Sequence, residues 1–187
     1  MTHPSETSHD TLAMVAFKDP LKNQYHATLA MLREAIEKCP DELWVDTHST
    51  NAFWQIAYHV LFFTHFYLGQ DAASFQPWAE HQRDSQNEDG IPGPPDPKSA
   101  LPLIPRPYSK DQVLRYWAIV DGFVDRAVDA MDLNRTESGF HYRMSKLEHQ
   151  LVNLRHLGHH TGQLADRLRG ATNFGVRWVG GSRPAAT

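Results

Sequence analysis

Apolar residues in this 187-residue chain recur at helical spacing in four stretches, and no stretch alternates convincingly enough to predict a strand. The first predicted helix opens at Asp19-Pro20, with Asp as cap and Pro in the first turn. It carries Leu21, Tyr25, Thr28, Leu32 and Ile36 to about Lys38 before Pro40 stops it. The second covers residues 50–68, follows a Ser/Thr/Asn cluster and ends at Gly69. It is apolar on nearly every side, so it belongs among other helices or under a partner. A third begins at Ser109-Lys110-Asp111-Gln112 and a fourth at Ser145-Lys146-Leu147-Glu148, both with the pattern of a capping box. The third continues through Val113, Tyr116, Trp117, Val120, Val124 and Val128, and the fourth reaches about Arg169 before Gly170.

Between the second and third helices, residues 70–108 include Gly90-Ile91-Pro92-Gly93-Pro94-Pro95-Asp96-Pro97. Proline removes backbone donors and disfavours helix in the residue before it, so a long loop is expected with at most a short turn near Trp78. The expected fold is therefore all-α: a four-helix bundle with a long proline-rich loop between helices two and three. Residues 1–17 read as a flexible N-terminal tail, 18–170 as the bundle domain and 171–187 as a C-terminal tail.

A hydrophobic fraction of 41% supports one real core, and a net charge of −4 with no basic run argues against nucleic acid as the main partner. The longest apolar stretch is broken by Gln55, His59, Thr64 and His65, and the N-terminus lacks the pattern of a signal peptide. The expectation is a cytoplasmic protein with no membrane partner. Cys39, the single cysteine, cannot form an internal disulfide and reads as a packing residue.

Twelve histidines are the unusual feature, and their positions sort them. His156 and His160 are four residues apart on the fourth helix and differ by about 40° in direction, so both imidazoles can reach one ion. His149, Asn153, Gln163 and Arg167 share that side, which leaves a solvated polar face as the competing reading. On the second helix, His59 shares its side with Ala52, Ile56 and Phe63. An imidazole there needs a polar partner, either a hydrogen bond in the core or a metal. One inward histidine and a His-x-x-x-His pair on another helix supply three nitrogen ligands and leave a position open. Zinc sites of that kind are catalytic, and nickel, iron or manganese also accept imidazole.

The segment His156-Leu157-Gly158-His159-His160-Thr161-Gly162-Gln163 resembles the His-x-x-His-His-x-Gly-Gln segment of the DinB-like superfamily, helical bundles that include the YfiT-type proteins read as metal hydrolases. Trp54-Gln55-Ile56-Ala57-Tyr58-His59 resembles the stretch that carries that family's remaining ligand. The resemblance implies one divalent ion, zinc or nickel first and iron or manganese next, held by His59, His156 and His160. It makes His159 a supporting or surface residue. It also implies a homodimer, for which Trp54, Tyr58 and Leu61 offer a surface, and chemistry on a small molecule, either hydrolysis or transfer of a low-molecular-weight thiol. No side chain beyond a metal-bound water is an obvious catalyst. Gln55, Asn153 and Gln163 could orient the ligands or a water, or be ordinary polar residues. The alternative is a non-catalytic metal-binding or helical interaction protein.

Overall fold

The computed structural model describes residues 6–46, 48–87 and 106–181. The Gly90 to Pro97 run lies outside them. Among the described residues there are five helices and no strand: α1 (Glu6–Lys38), α2 (Asp41–Trp44), α3 (Phe53–Leu68), α4 (Lys110–Ala130) and α5 (Lys146–Thr172). The four long helices close a ring of contacts in which α1 packs on α4 and α5, and α3 packs on the same two.

Helix ends follow local chemistry more closely than the apolar period alone suggests. At α4 the capping box is complete, with Gln112 N–H donating to Ser109 Oγ at 3.2 Å and Ser109 N–H donating to Gln112 Oε1 at 2.9 Å. At α5 the Ser145 hydroxyl accepts from Glu148 N–H. The α1 start differs from the Asp19-Pro20 signal: helix runs from Glu6, with Pro20 inside it, so the segment read as a loose tail carries helix over most of its length. Pro20 removes one ladder hydrogen bond, and the Ala, Leu, Met and Lys residues before it are good helix formers. α5 passes Gly170 and stops at Asn173, whose left-handed φ of 59° lets its N–H reach the Arg169 carbonyl at 2.8 Å. Beyond it, Phe174 and Val176 pack on the core, and Arg177 N–H donates to Glu34 on α1 at 3.1 Å.

The core is filled by Tyr25, Leu29, Leu32 and Ile36 of α1, by Val113, Tyr116, Val120 and Val124 of α4, and by Leu157, Leu164 and Leu168 of α5. α3 is surrounded as its all-round apolarity requires, and Trp54, Tyr58 and Leu61 are buried in it. Those three residues therefore offer no outer surface to a second copy. Tyr58 stacks on Tyr108 with ring centroids 4.4 Å apart.

The α5 stripe is buried over much of its length, although Gln163 near its end is exposed. His149 and Asn153 are fully buried, and His160 nearly so. Polar groups on α5 answer polar groups opposite: Gln150 donates to the Tyr67 carbonyl at 2.9 Å and accepts from Tyr25 O–H at 2.9 Å. Lys146 is fully buried, and its ammonium donates to the carbonyls of Gly69, Gln70 and Ser138. This ties the start of α5 to the end of α3 and sets the register in which α5 histidines face His59. Burial lowers the Lys146 pKa to about 8.

Candidate metal centre

α3 and α5 lie side by side, and the antiparallel run of their facing residues brings His59 opposite His156 and His160. One ligand-capable nitrogen from each of the three lies within 4.8 Å of the other two. Ring centroids are 5.1 Å apart for His59 and His156, 4.9 Å for His59 and His160, and 4.6 Å for His156 and His160.

Two of these rings are oriented by their Nδ1 atoms. His59 Nδ1 lies 2.7 Å from the Gln86 carbonyl oxygen, and His160 Nδ1 lies 3.0 Å from Gln163 Oε1. Both oxygens only accept, so both Nδ1 atoms carry the proton in the neutral rings and Nε2 keeps its lone pair. His59 Nε2 is 3.0 Å from His156 Nε2. Two lone pairs so close repel unless a proton or a cation lies with them. Three imidazole nitrogens gathered this closely, on rings of which two have Nδ1 held by a hydrogen bond, suit the donor set of a divalent ion.

The DinB superfamily family model matches residues 24–164, a span that reaches from α1 through all three histidines. The chain belongs to the DinB superfamily. Among curated proteins and solved structures, none matches it. DinB-superfamily proteins are often metal-binding, in keeping with the triad of this member.

In this DinB-superfamily site the His156 ring is held neutral. Burial, followed by the neighbouring His160 and His59, pushes the His156 pKa down to about 3. His156 Nδ1 is buried without a hydrogen-bond partner among the described residues. A cavity of about 450 Å³ opens beside His59 and His156, walled by Phe63, Tyr67, Tyr142 and Val152 and edged by Arg155 and His159. His159 lines this cavity, and its ring sits 4.9 Å from that of His160, outside the three-nitrogen cluster. No carboxylate lines the cavity, so a side-chain general base of the Asp or Glu type is missing from its described wall.

Of the three residues expected to support the ligands, Gln163 meets His160 directly. Gln55 does not orient His59. Its Oε1 accepts from Ala52 N–H at 2.7 Å and caps α3, because Ala52 has no side-chain acceptor of its own and the first turn needs one. Asn153 is fully buried and donates to the Thr64 carbonyl at 3.3 Å, joining α5 to α3 away from the triad.

The residue that does orient His59 went unnoticed in the sequence. Gln86 acts through its backbone carbonyl, which leaves no side-chain signature. Its segment is held by Tyr108, whose hydroxyl accepts from Gln82 N–H at 2.6 Å and donates to the Glu80 carbonyl at 2.9 Å. Trp78 and His81 of the same segment pack on Tyr116 and Tyr58 rather than lining the cavity. Cys39 is buried, and burial raises its thiol pKa to about 12, as befits a packing residue.

Proposed function

We propose that this protein is a divalent-metal-dependent enzyme built on a four-helix bundle, acting on a small molecule by hydrolysis or by transfer of a low-molecular-weight thiol. The observation that carries the reading is the convergence of His59, His156 and His160 beside an open, largely apolar cavity that His59 and His156 line. A structural metal site is closed by protein on all sides, whereas this one borders space for a substrate.

His59, His156 and His160 would hold the ion, with zinc or nickel the first candidates and iron or manganese the next. When bound, it supplies Lewis acidity that makes water or a thiol a competent nucleophile near neutral pH. The chain's own residues then do the remaining work. Gln86 and Gln163 keep two of the imidazoles in the orientation described. Phe63, Tyr67 and Val152 strip water from the apolar part of a substrate, which strengthens every polar interaction beside it. Burial raises the Tyr67 pKa, so its hydroxyl stays protonated at neutral pH. With no carboxylate in the described wall, proton transfer falls to the nucleophile itself or to solvent.

A cytoplasmic location and a homodimer are parts of the same proposal. No helix among the described residues is long and apolar enough to cross a membrane. Any dimer surface must lie elsewhere than Trp54, Tyr58 and Leu61.

The test is turnover of a panel of amides, esters and thiol-plus-electrophile pairs by metal-loaded protein, by chelated protein and by His160→Ala. Activity present only in the loaded wild type supports an enzyme. An ion bound at one per chain with no turnover across the panel favours the alternative, a non-catalytic metal-binding protein.

A further inference from the structure

Arg155 stands on α5 one residue before His156, on the edge of the cavity. At about 100° per residue, Val152, Arg155, His159 and His156 fall within an arc of about 100° on that helix, so the guanidinium and the ligand imidazole serve one space. The other walls are the rings of Phe63, Tyr67 and Tyr142. Among the described residues that line the cavity, Arg155 is the one side chain of fixed charge and none is a carboxylate. Among the described residues, none pairs with the Arg155 guanidinium in an ion pair or hydrogen bond.

A guanidinium is cationic at any working pH and presents donors spaced for the two oxygens of a carboxylate. Exposed at the rim of an aromatic cavity, with no acidic neighbour among its described lining, it is open to an anionic ligand. One guanidinium answers one negative charge. We propose that the cavity selects small organic monoanions, with a carboxylate on Arg155 and an apolar or aromatic body against Phe63, Tyr67 and Tyr142. This names the substrate class for the site proposed above and rests on that reading for its catalytic meaning, although the anion contact itself needs no metal.

The experiment measures calorimetric binding of 3-phenylpropanoate and its neutral amide, 3-phenylpropanamide, to zinc-loaded and to chelated protein. Wild type, Arg155→Leu and Arg155→Lys are compared, with zinc content measured for each. The expected result is a preference for the carboxylate of about five-fold or more in wild type. It should be present in both metal states, lost in Arg155→Leu and partly kept in Arg155→Lys, at unchanged zinc content. Equal affinity for acid and amide in wild type, or a preference that survives in Arg155→Leu, overturns the proposal. Failure of the protein to retain zinc, with the Arg155-dependent preference intact, sinks the metal reading and leaves the anion pocket standing.

Discussion

A hydrogen bond to the far nitrogen fixes an imidazole's orientation for a metal, and in this protein two residues supply that bond to two of the three rings. Gln163 holds His160 and the Gln86 carbonyl holds His59. Removing the Gln163 amide frees the His160 ring to turn, so Gln163→Ala should weaken metal affinity by about ten-fold, with little loss of stability. Competition against a chromophoric chelator measures it, and unchanged affinity would contradict the role. Gln55→Ala provides the contrast: it removes a bond at the start of α3 and should cost about 1 kcal/mol of stability while leaving metal affinity alone. The three clustered histidines were legible, because the four-residue spacing of His156 and His160 and the apolar flanks of His59 are side-chain patterns. Gln86 was not, since a backbone carbonyl in an aperiodic segment leaves no trace in residue identity. Gln55 misled because its place four residues before His59 fits two roles equally, and only the missing acceptor at Ala52 decides between them.

At the scale of elements, the segment 78–87 is what joins the loop to the metal centre. Tyr108 fastens it through Gln82 N–H and the Glu80 carbonyl, with its ring stacked on Tyr58. Tyr108→Phe keeps the stacking but leaves a buried donor and acceptor unanswered, at a cost of about 1–3 kcal/mol. Faster amide exchange over 78–87 and weaker metal binding should appear together. Exchange that rises without any change in affinity would separate the segment from His59. The long helices were legible from their apolar residues together with the cap and stop residues around them, and α4, the most clearly amphipathic, shows both the expected cap and the expected core face. Two features were not. Asp19-Pro20 has the form of a helix start, yet the residues before it hold helix well enough to absorb one lost bond. The polar stripe of α5 reads like a wet surface because the α3 residues that cover His149 and Asn153, Tyr67 and Thr64, are far away in sequence.

For the whole molecule, the cost of keeping polar groups inside makes stability depend on pH. His149 is enclosed by Tyr67, Phe140 and Tyr142, and burial followed by Lys146 lowers its pKa to about 4. His65 is likewise lowered to about 4, by burial and then by Arg126. The unfolded chain binds more protons than the native one between the ordinary value of 6.5 and about 4. The share of stability these two rings carry is therefore full above pH 6.5 and falls as pH drops toward 4, by at most about 1.4 kcal/mol per pH unit for each histidine. Denaturant titrations of chelated protein at pH 7.5, 6 and 5 check this, and a flat profile would contradict the burial of these rings. A bound ion adds stability in proportion to the logarithm of its free concentration, so the melting temperature should rise with added metal. The central claim is that His59, His156 and His160 form one site, and elemental analysis of tag-free protein tests it most directly. The account predicts about one divalent ion per chain in the wild type and none in folded His59→Ala or His160→Ala. No ion in the wild type after incubation with zinc, nickel or manganese and desalting, or an ion kept by both variants, would contradict it.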